Sequence, residues 1–285
     1  MNTKYPLVSI RIAAYNHEKY ILDTLNSVLN DTYPNKELVI IDDGSEDATA
    51  ILIEEWIKQN NTEIFIQYKT RENRGLTVTI NELLAMCNGE YICGVASDDY
   101  LLDKGILKRV QYLLEHPHKM AVFSDCQMVD KNNNIIYQST LKEYYHVNIS
   151  NYNKDEDLKN EIISNWAIPG PVLMVNRKLY DVYKINYNQK LLVEDWDMYL
   201  KLVSKNLLGF VEYSVSTYRI HDSNISIKYP NKIIYNRIKT IFYNLSYFYM
   251  KDRIRLLLVC FYLLYVVVRR FIAKIKNKIW IKYEK

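Results

Sequence analysis

Short apolar segments alternate with amphipathic helical segments through the first half of the chain, and this alternation restricts the possible folds more than any other feature. Residues 7–12 and 37–41 are short, apolar and rich in β-branched side chains, as buried strands are. Between them, residues 21–29 carry apolar side chains at helical spacing. The same rhythm continues to residues 121–123. It predicts an α/β fold, in which helices cover both faces of a mostly parallel sheet.

Polar clusters follow several of the predicted strands. Residues 14–16 follow the first strand, Asp42-Asp43 the second and Asp98-Asp99 the fourth. In sheets of this kind, ligands bind outside the carboxyl ends of the strands. The clusters are therefore expected to meet in one crevice.

The Asp98-Asp99 pair is the cluster with the clearest chemistry. Adjacent carboxylates raise each other's pKa unless a cation neutralises them, and a hard divalent ion that also binds substrate phosphates is a natural partner. A solvated turn or a helix N-cap would also explain two aspartates here. Asp43 could accept hydrogen bonds from a nucleobase or a ribose, or it could belong to an ordinary strand-to-helix turn.

Two further clusters lie in the second half. Glu194-Asp195 opens a predicted helix, where a carboxylate could act as a general base or could simply interact favourably with the helix dipole. Residues 210–215 and 217–220 are predicted to be two further strands. Arg219 and His221 lie at the end of the second, where they could face an anion or a metal, although a single histidine in such a position is more often structural.

Four segments, taken in order, resemble a known family. They read PLVSIRIAAYNHEKYILDTLNSVLNDTYPNKELVIIDDGSED, ENRGLTVTINELLAMCNGEYICGVASDD, VEDWDMYLKL and YRIHDSNIS. Their order and spacing are similar to those of the family 2 inverting glycosyltransferases of bacterial surface-polysaccharide type. The resemblance covers residues 6–226 and implies the GT-A fold, a Rossmann-like sheet flanked by helices. It also implies transfer of a sugar from a nucleotide-diphosphate donor, UDP-sugar foremost, with Mn²⁺ or Mg²⁺ as cofactor.

The resemblance also implies roles in donor binding. Ala14 and Tyr15 match the position where backbone and ring contact the nucleotide base, and Asp43 matches the carboxylate that recognises it. Asp98 is expected near the ribose and Asp99 on the metal.

The remaining roles concern transfer and the diphosphate. Asp195 matches the general base, with Glu194 beside it, and His221 matches a residue near the metal and the diphosphate. Arg219 is expected to face the same anion. One departure is Ala96, which stands where many relatives carry an acid, so that Asp98-Asp99 form the whole acidic motif.

Two other functions remain open at this stage. A nucleotidyltransferase would need a glycine- and lysine-rich triphosphate loop after the first strand, but residues 14–17 read AYNH. A non-catalytic module that binds nucleotide sugars would be expected to lack the acidic motif or the base, but Asp99 and Asp195 are both present.

The second half divides into three parts. Residues 131–165 are polar and are predicted to be loop-rich with little core. The catalytic domain is expected to span residues 1–228, and residues 229–285 form a helical, basic tail. No pair of cysteines has the spacing of a metal site, and residues 1–9 lack the pattern of a secretory signal, so a reduced cytoplasmic setting is expected.

The tail combines positive charge with an apolar run. The chain has a net charge of +4, whereas residues 251–285 carry ten Lys or Arg against two acids, which is +8 and leaves −4 for the remainder.

Residues 256–268 form an uninterrupted run of apolar side chains. As a helix they would measure about 20 Å, less than a hydrocarbon core of roughly 30 Å. We therefore expect a helix lying in an anionic membrane surface at the inner face of the cell membrane, near a glycan or lipid-linked acceptor. Packing on the catalytic domain or on a second copy is the alternative, and nucleic acid is not expected to be the partner.

Overall fold

The computed structural model describes residues 5–222, 224 and 228–283, with side chains described as far as residue 273. The strands are β1 (Val8–Ala14), β2 (Lys36–Asp42), β3 (Phe65–Thr70), β4 (Tyr91–Gly94), β5 (Ala121–Val129), β6 (Ile135–Tyr137), β7 (Met174–Asn176) and β8 (Leu208–Arg219). The helices are α1 (Ile21–Asn30), α2 (Thr49–Asn60), α3 (Leu76–Met86), α4 (Gly105–Glu115), α5 (Asp155–Ser164), α6 (Lys178–Asp181), α7 (Glu194–Ser204), α8 (Pro230–Asn244) and α9 (Met250–Tyr283).

The strands form one mixed sheet in the order β3-β2-β1-β4-β7-β5-β6, with β8 pairing with β5. Strands β1 to β4 are parallel to one another, and β8 is parallel to β5, whereas β7 is antiparallel to β4 and β5, and β6 is antiparallel to β5. Helices cover both faces, and the apolar residues of β2 alternate between two core clusters. Burial on both faces explains why the strand reads as a continuous apolar run. The predicted α/β fold is confirmed.

The region of residues 131–165 contains more core than its composition suggested. It supplies β6, α5 and two short helical turns, and the buried residues Leu141, Ile149 and Tyr152 join the larger core cluster. The expectation of a loop with little core was wrong. Its apolar side chains follow neither a helical nor a strand period, because they lie on turns that only the surrounding sheet and helices bring together.

Two strands predicted at residues 210–215 and 217–220 are a single strand, β8. Its pairing with β5 shifts register on both sides of Asp125, as a β-bulge does. The bulge breaks the period-2 alternation of side chains, which made one long strand look like two short ones.

Helices α8 and α9 form a hairpin that packs on the catalytic fold. The buried residues Leu256, Cys260 and Leu263 of α9 lie on the side that contacts α5 and α8. The opposite side exposes a large apolar surface, which we call the outer face of α9. Its residues are Leu258, Phe261, Tyr262, Leu264, Tyr265, Val268 and Phe271.

The helix that contains the apolar run of residues 256–268 is longer than the run itself, so the expected length of about 20 Å was too short. The segment Met250–Ala273 is 24 residues long, its most apolar window of 18 residues has a mean hydropathy of 2.1, and by length and composition it could cross a membrane. Counting only the uninterrupted apolar run left out flanking residues that belong to the same helix. Only 22% of its most apolar window is buried, so it is not the core helix of a soluble domain.

Gly105 sets the distance between α4 and β8, and this contact yields a prediction about stability. A Cβ at Gly105 would lie 2.8 Å from the Cα atom and the carbonyl oxygen of Val215, whereas a Cβ at Gly170 would meet nothing within 4 Å. Because the clash is with backbone, we expect Gly105→Ala to lower the free energy of unfolding by about 1–3 kcal/mol. Urea denaturation measures the change. The control, Gly170→Ala, should shift it by less than about 0.5 kcal/mol. Equal stabilities of the two variants would contradict this account of the packing.

Candidate active site

The loops after β1 and β2 are tied together at the carboxyl edge of the sheet. The Asp43 N–H donates to the Ala14 carbonyl at 2.8 Å. The Asn16 N–H donates to Ser45 Oγ at 2.9 Å, and the Asn16 side chain accepts from the Glu46 N–H at 2.8 Å. Asn16 itself has a φ of 53°, a conformation that asparagine tolerates better than most residues. These bonds turn the chain sharply and leave an open edge above both strands.

Asp43 organises the neighbouring loop of residues 71–75. Its buried carboxylate accepts from the N–H groups of Arg74 and Gly75, both at 2.9 Å, and forms an ion pair with Arg71. Gly44 has a φ of 77°, and its backbone approaches Asn73 so closely that a Cβ would lie 2.7 Å from that nitrogen. Three protein donors therefore already occupy the carboxylate for which base recognition was predicted.

The other two predicted base contacts flank this loop. The Ala14 side chain is fully buried, so only its backbone can face a ligand. Tyr15 is exposed, and its ring is free to contact a base from the open edge. Both residues keep their roles as predictions.

Asp98 lies between two histidines. Its Oδ2 atom is 2.9 Å from His221 Nε2 and 3.7 Å from His17 Nε2. The other ring nitrogen of His17 is 2.7 Å from Ser97 Oγ, which fixes the orientation of the imidazole. One ligand atom from each of His17, Asp98 and His221 lies within 4.8 Å of the other two, so the three residues could hold a metal ion.

Asp99 and Arg219 differ from their predicted roles. The Asp99 carboxylate is buried and accepts from the Arg219 N–H at 2.7 Å, outside the group that could hold a metal. The Arg219 guanidinium, 1% exposed, bonds the Asp98 carbonyl at 2.6 Å and also contacts Asp23 and Asn133. The metal is therefore better matched to Asp98 than to Asp99. Each of the three guanidinium nitrogens of Arg219 bonds to protein, which favours a role in holding the acidic turn.

The electrostatics separate the two aspartates. Burial raises the pKa of Asp99, and the charge of Asp98 raises it further. Burial acts on Asp98 in the same direction, but the hydrogen bond with His221 and the proximity of His17 outweigh it and lower its pKa. Burial also lowers the pKa of His17, so this imidazole stays neutral, as ligation requires.

A cavity of about 610 Å³ opens over this group. His17, Tyr20 and His221 line one part of it, and Lys19 and Lys131 lie at its edge. The volume is that of a typical small-molecule site. Its lining holds these two lysines and also four acids, Glu18, Asp47, Asp130 and Asp222, so the cavity is net acidic and suits a cation.

The second predicted acidic pair, Glu194-Asp195, lies at the start of α7 and does not line that cavity. Thr77 at the start of α3 donates to the Leu191 carbonyl at 3.3 Å, which brings the start of α7 close to the loop that Asp43 holds. Both acids are thus at the same edge of the sheet as the first strands. The fully buried Trp196 anchors the turn, because its Nε1 donates to the Ile162 carbonyl at 2.8 Å.

Burial gives the two acids different protonation. It raises the pKa of Asp195 to about 6, with Arg237 acting in the opposite direction. Burial and the neighbouring Asp195 raise the pKa of Glu194 to about 8. Within this coupled pair, Asp195 is the more acidic group and Glu194 keeps its proton to higher pH.

Sequence reasoning missed His17 as a site residue. It follows directly on the polar cluster after β1, and its one signal was that position at a strand end. No metal-ligand spacing marks it, because its partners are 81 and 204 residues further along the chain (98 − 17 and 221 − 17).

Comparisons with known proteins identify the family of the chain. The sequence profile of glycosyl transferase family 2 matches residues 9–182, more than half of the chain. An uncharacterised glycosyltransferase of Methanocaldococcus jannaschii is 28% identical over 250 residues, covering 85% of this chain and 82% of its own length. TuaG of Bacillus subtilis, named as a candidate teichuronic acid biosynthesis glycosyltransferase, is 27% identical over 225 residues, covering 78% of this chain and 82% of its own.

Solved structures with the same fold include TarS of S. aureus in complex with UDP, at a TM-score of 0.59 and 20% identity. They also include the mannosyltransferase PcManGT of Pyrobaculum calidifontis with GDP-Man and Mn²⁺, at a TM-score of 0.66 and 14% identity. The matches cover 82% and 86% of this chain but only 64% and 65% of those chains, so this chain spans under two thirds of each. Fold, acidic turn and sequence profile together show that the chain belongs to glycosyl transferase family 2 and has the GT-A fold.

Proposed function

We propose that this glycosyltransferase is Mn²⁺-dependent and moves a sugar, with inversion, from a nucleoside diphosphate donor to an acceptor hydroxyl in surface-polysaccharide or glycolipid synthesis. The observation that carries the proposal is the group of His17, Asp98 and His221 beneath a cavity at the carboxyl edge of the sheet. An ionised Asp195 near the same edge supplies a base.

The donor atoms favour Mn²⁺ over Mg²⁺. Two imidazole nitrogens and one carboxylate oxygen suit a first-row transition metal, whereas Mg²⁺ prefers oxygen ligands throughout. The complex of PcManGT with Mn²⁺ supports this choice. A bound ion would neutralise charge on the leaving diphosphate.

The donor is proposed to be a UDP-sugar. TarS has been crystallised with UDP and with UDP-GlcNAc, and PcManGT with GDP-Man, so nucleoside diphosphates suit this fold. We place the base near Tyr15, the backbone of Ala14 and the loop held by Asp43. Lys19 and Lys131 are then available to the diphosphate.

The transfer needs a single displacement. The Asp195 carboxylate accepts the proton of the acceptor hydroxyl as the acceptor oxygen bonds to the anomeric carbon. The bond from that carbon to the diphosphate oxygen breaks, and its electron pair leaves with the nucleoside diphosphate. Glu194 keeps its proton to higher pH, so it does not compete as the base.

The outer face of α9 is proposed to lie in the membrane surface. Tyrosines on α8 and α9 place amphipathic rings beside apolar side chains, which suits the headgroup region. The Arg270 guanidinium donates to the Asn231 side chain at 3.1 Å, so α9 stays beside the polar helix α8 as far as residue 270. A helix held in this way lies in the surface more readily than it crosses the bilayer.

This orientation implies a cytoplasmic enzyme at the inner face of the cell membrane, with residues 1–228 as the catalytic domain and residues 229–285 as the membrane-contacting tail. The four cysteines are buried free thiols, which suits a reducing compartment. The catalytic domain would then meet a lipid-linked glycan at the inner face of the membrane, where that glycan is made.

The metal assignment predicts an effect of His17→Ala. Loss of one of three ligands should weaken Mn²⁺-dependent binding of UDP by at least about tenfold. Titration calorimetry of the full chain with UDP, with and without Mn²⁺, measures this. His116→Ala is the matched control, because His116 stacks on Tyr112 away from the site, at a ring distance of 4.1 Å. Unchanged UDP affinity in His17→Ala would rule out ligation by His17.

The base assignment predicts a pH profile. Asp195 works only when ionised and its pKa is about 6, so kcat/KM should fall as the pH drops through that value. Below it, the decrease should approach about tenfold per pH unit. The rate of nucleoside diphosphate release, measured with the acceptor, reports kcat/KM. Asp195→Asn should keep donor binding and lose transfer. Transfer by that variant at the wild-type rate would reject Asp195 as the base.

The membrane assignment predicts that Phe261→Gln combined with Tyr265→Gln releases the protein from anionic vesicles. Both side chains are exposed on the outer face of α9, and removing their apolar area should weaken partitioning by at least about tenfold. Flotation with phosphatidylcholine–phosphatidylglycerol vesicles measures binding. The control pair, Ile51→Gln with Phe65→Gln, removes equally exposed apolar side chains at 60% and 62% exposure elsewhere. Flotation of the α9 variant like wild type would contradict the proposal.

A further inference from the structure

A second cavity, of about 550 Å³, opens between the end of α5 and the helices α8 and α9. Its polar part is formed by Asn165, Arg237 and Arg255. Its apolar part is formed by Trp166, Leu258 and Leu263. None of the residues assigned to the donor or the metal lines it, so it is separate from the cavity over His17 and His221.

Arg237 is the unusual residue of this cavity. Its Nε atom is buried without a hydrogen-bond partner, and its guanidinium lies 5.0 Å from the centre of the Trp196 ring. Among the described side chains, no acid lies within ion-pair distance of it. Burial lowers the pKa of Arg237, which reflects a desolvated cation. Such a group is costly unless an anion pairs with it.

Arg255, at the other side of the cavity, has partners already. It donates to Asp252 at 2.9 Å and contacts Asn160. The unsatisfied positive charge of the cavity is therefore concentrated at Arg237. A guanidinium with an unused donor is well suited to a phosphate oxygen.

Arg237 also connects the cavity with the proposed base. It acts electrostatically on Asp195, and it packs on the ring of the next residue, Trp196. A ligand paired with Arg237 would therefore lie near the start of α7, where the proposed base is placed.

The apolar part of the cavity continues onto the outer face of α9. Leu258 and Tyr262 line the cavity and are also exposed, at 62% and 64%. A ligand that fits both parts carries an anionic group and a hydrocarbon chain. The chain would run along α9 into the membrane surface proposed above.

We propose that this cavity binds the phosphate of a phosphorylated lipid that carries the acceptor sugar, with Arg237 pairing with the phosphate and the lipid chain lying along α9. The inference rests on the proposed function and names the class of its acceptor. Arg237 is a binding residue for the acceptor, and it orients the acceptor hydroxyl toward Asp195.

The test measures binding of decyl phosphate to the full chain by calorimetry, with decanol and inorganic phosphate as the two partial ligands. Decyl phosphate should bind at least about tenfold more tightly than either, because only it satisfies both parts of the cavity. Arg237→Gln should weaken the binding of decyl phosphate by at least about tenfold, and Arg237→Lys should lose less of this affinity than Arg237→Gln does. Arg177→Gln, which changes an arginine paired with Asp181 on the surface, should leave binding unchanged.

Three results would overturn the inference. The first is equal binding of decyl phosphate to Arg237→Gln and wild type, which would leave Arg237 with only its effect on Asp195. The second is equally tight binding of inorganic phosphate, which would indicate a simple anion site. The third is loss of vesicle flotation in Arg237→Gln by the same factor, which would indicate bulk lipid headgroups. UDP binding with Mn²⁺, measured on the same variant, tests the donor site separately, so failure of the acceptor site is distinguishable from failure of the proposed function.

Discussion

The burial of two adjacent carboxylates after β4 is the constraint on which the site depends. Asp98 and Asp99 are 9% and 3% exposed, and each needs its own compensating partner because like charges repel at this distance. The Asp99 carboxylate accepts a hydrogen bond from the Arg219 N–H, and the Asp98 carboxylate lies beside the imidazoles of His221 and His17. The Arg219 guanidinium also donates to the Asp98 carbonyl and so stabilises the turn. The end of β8 is thereby held against β4, although the two strands are not neighbours in the sheet.

The same physical effect, burial of paired acids, produces a different result at the start of α7. Among the described residues, no histidine bonds to either acid here, and burial raises both pKa values, to about 6 for Asp195 and about 8 for Glu194. The hydrogen bond that Asp195 accepts from the Trp196 N–H, at 2.7 Å, and to a smaller extent the charge of Arg237 lower the pKa of Asp195 and oppose the effect of burial. One acidic pair is thus suited to a metal and the other to proton transfer, and the difference lies in their neighbours.

Helices α8 and α9 connect this chemistry with the exposed apolar surface. Arg237 on α8 acts on Asp195, and α9 supplies both one wall of the second cavity and the outer face. An acceptor anchored in a lipid surface would reach the base through this hairpin. The apolar face and the catalytic residues then belong to one functional arrangement, even though they are far apart along the chain.

The sequence by itself determined the α/β fold, because hydrophobic periodicity is local and survives without tertiary context. It also located the acidic clusters at strand ends, and the resemblance of four segments pointed to the correct family. Tertiary structure alone decided which acid faces which partner. Asp98 and Asp99 are neighbours in the chain and cannot be told apart by spacing, yet Asp98 lies beside His17 and His221 whereas Asp99 bonds to the backbone of β8. Contacts between residues distant in sequence also placed the Arg219 guanidinium around the acidic turn and left Arg237 with no ion pair among the described side chains, and no local pattern encodes either outcome.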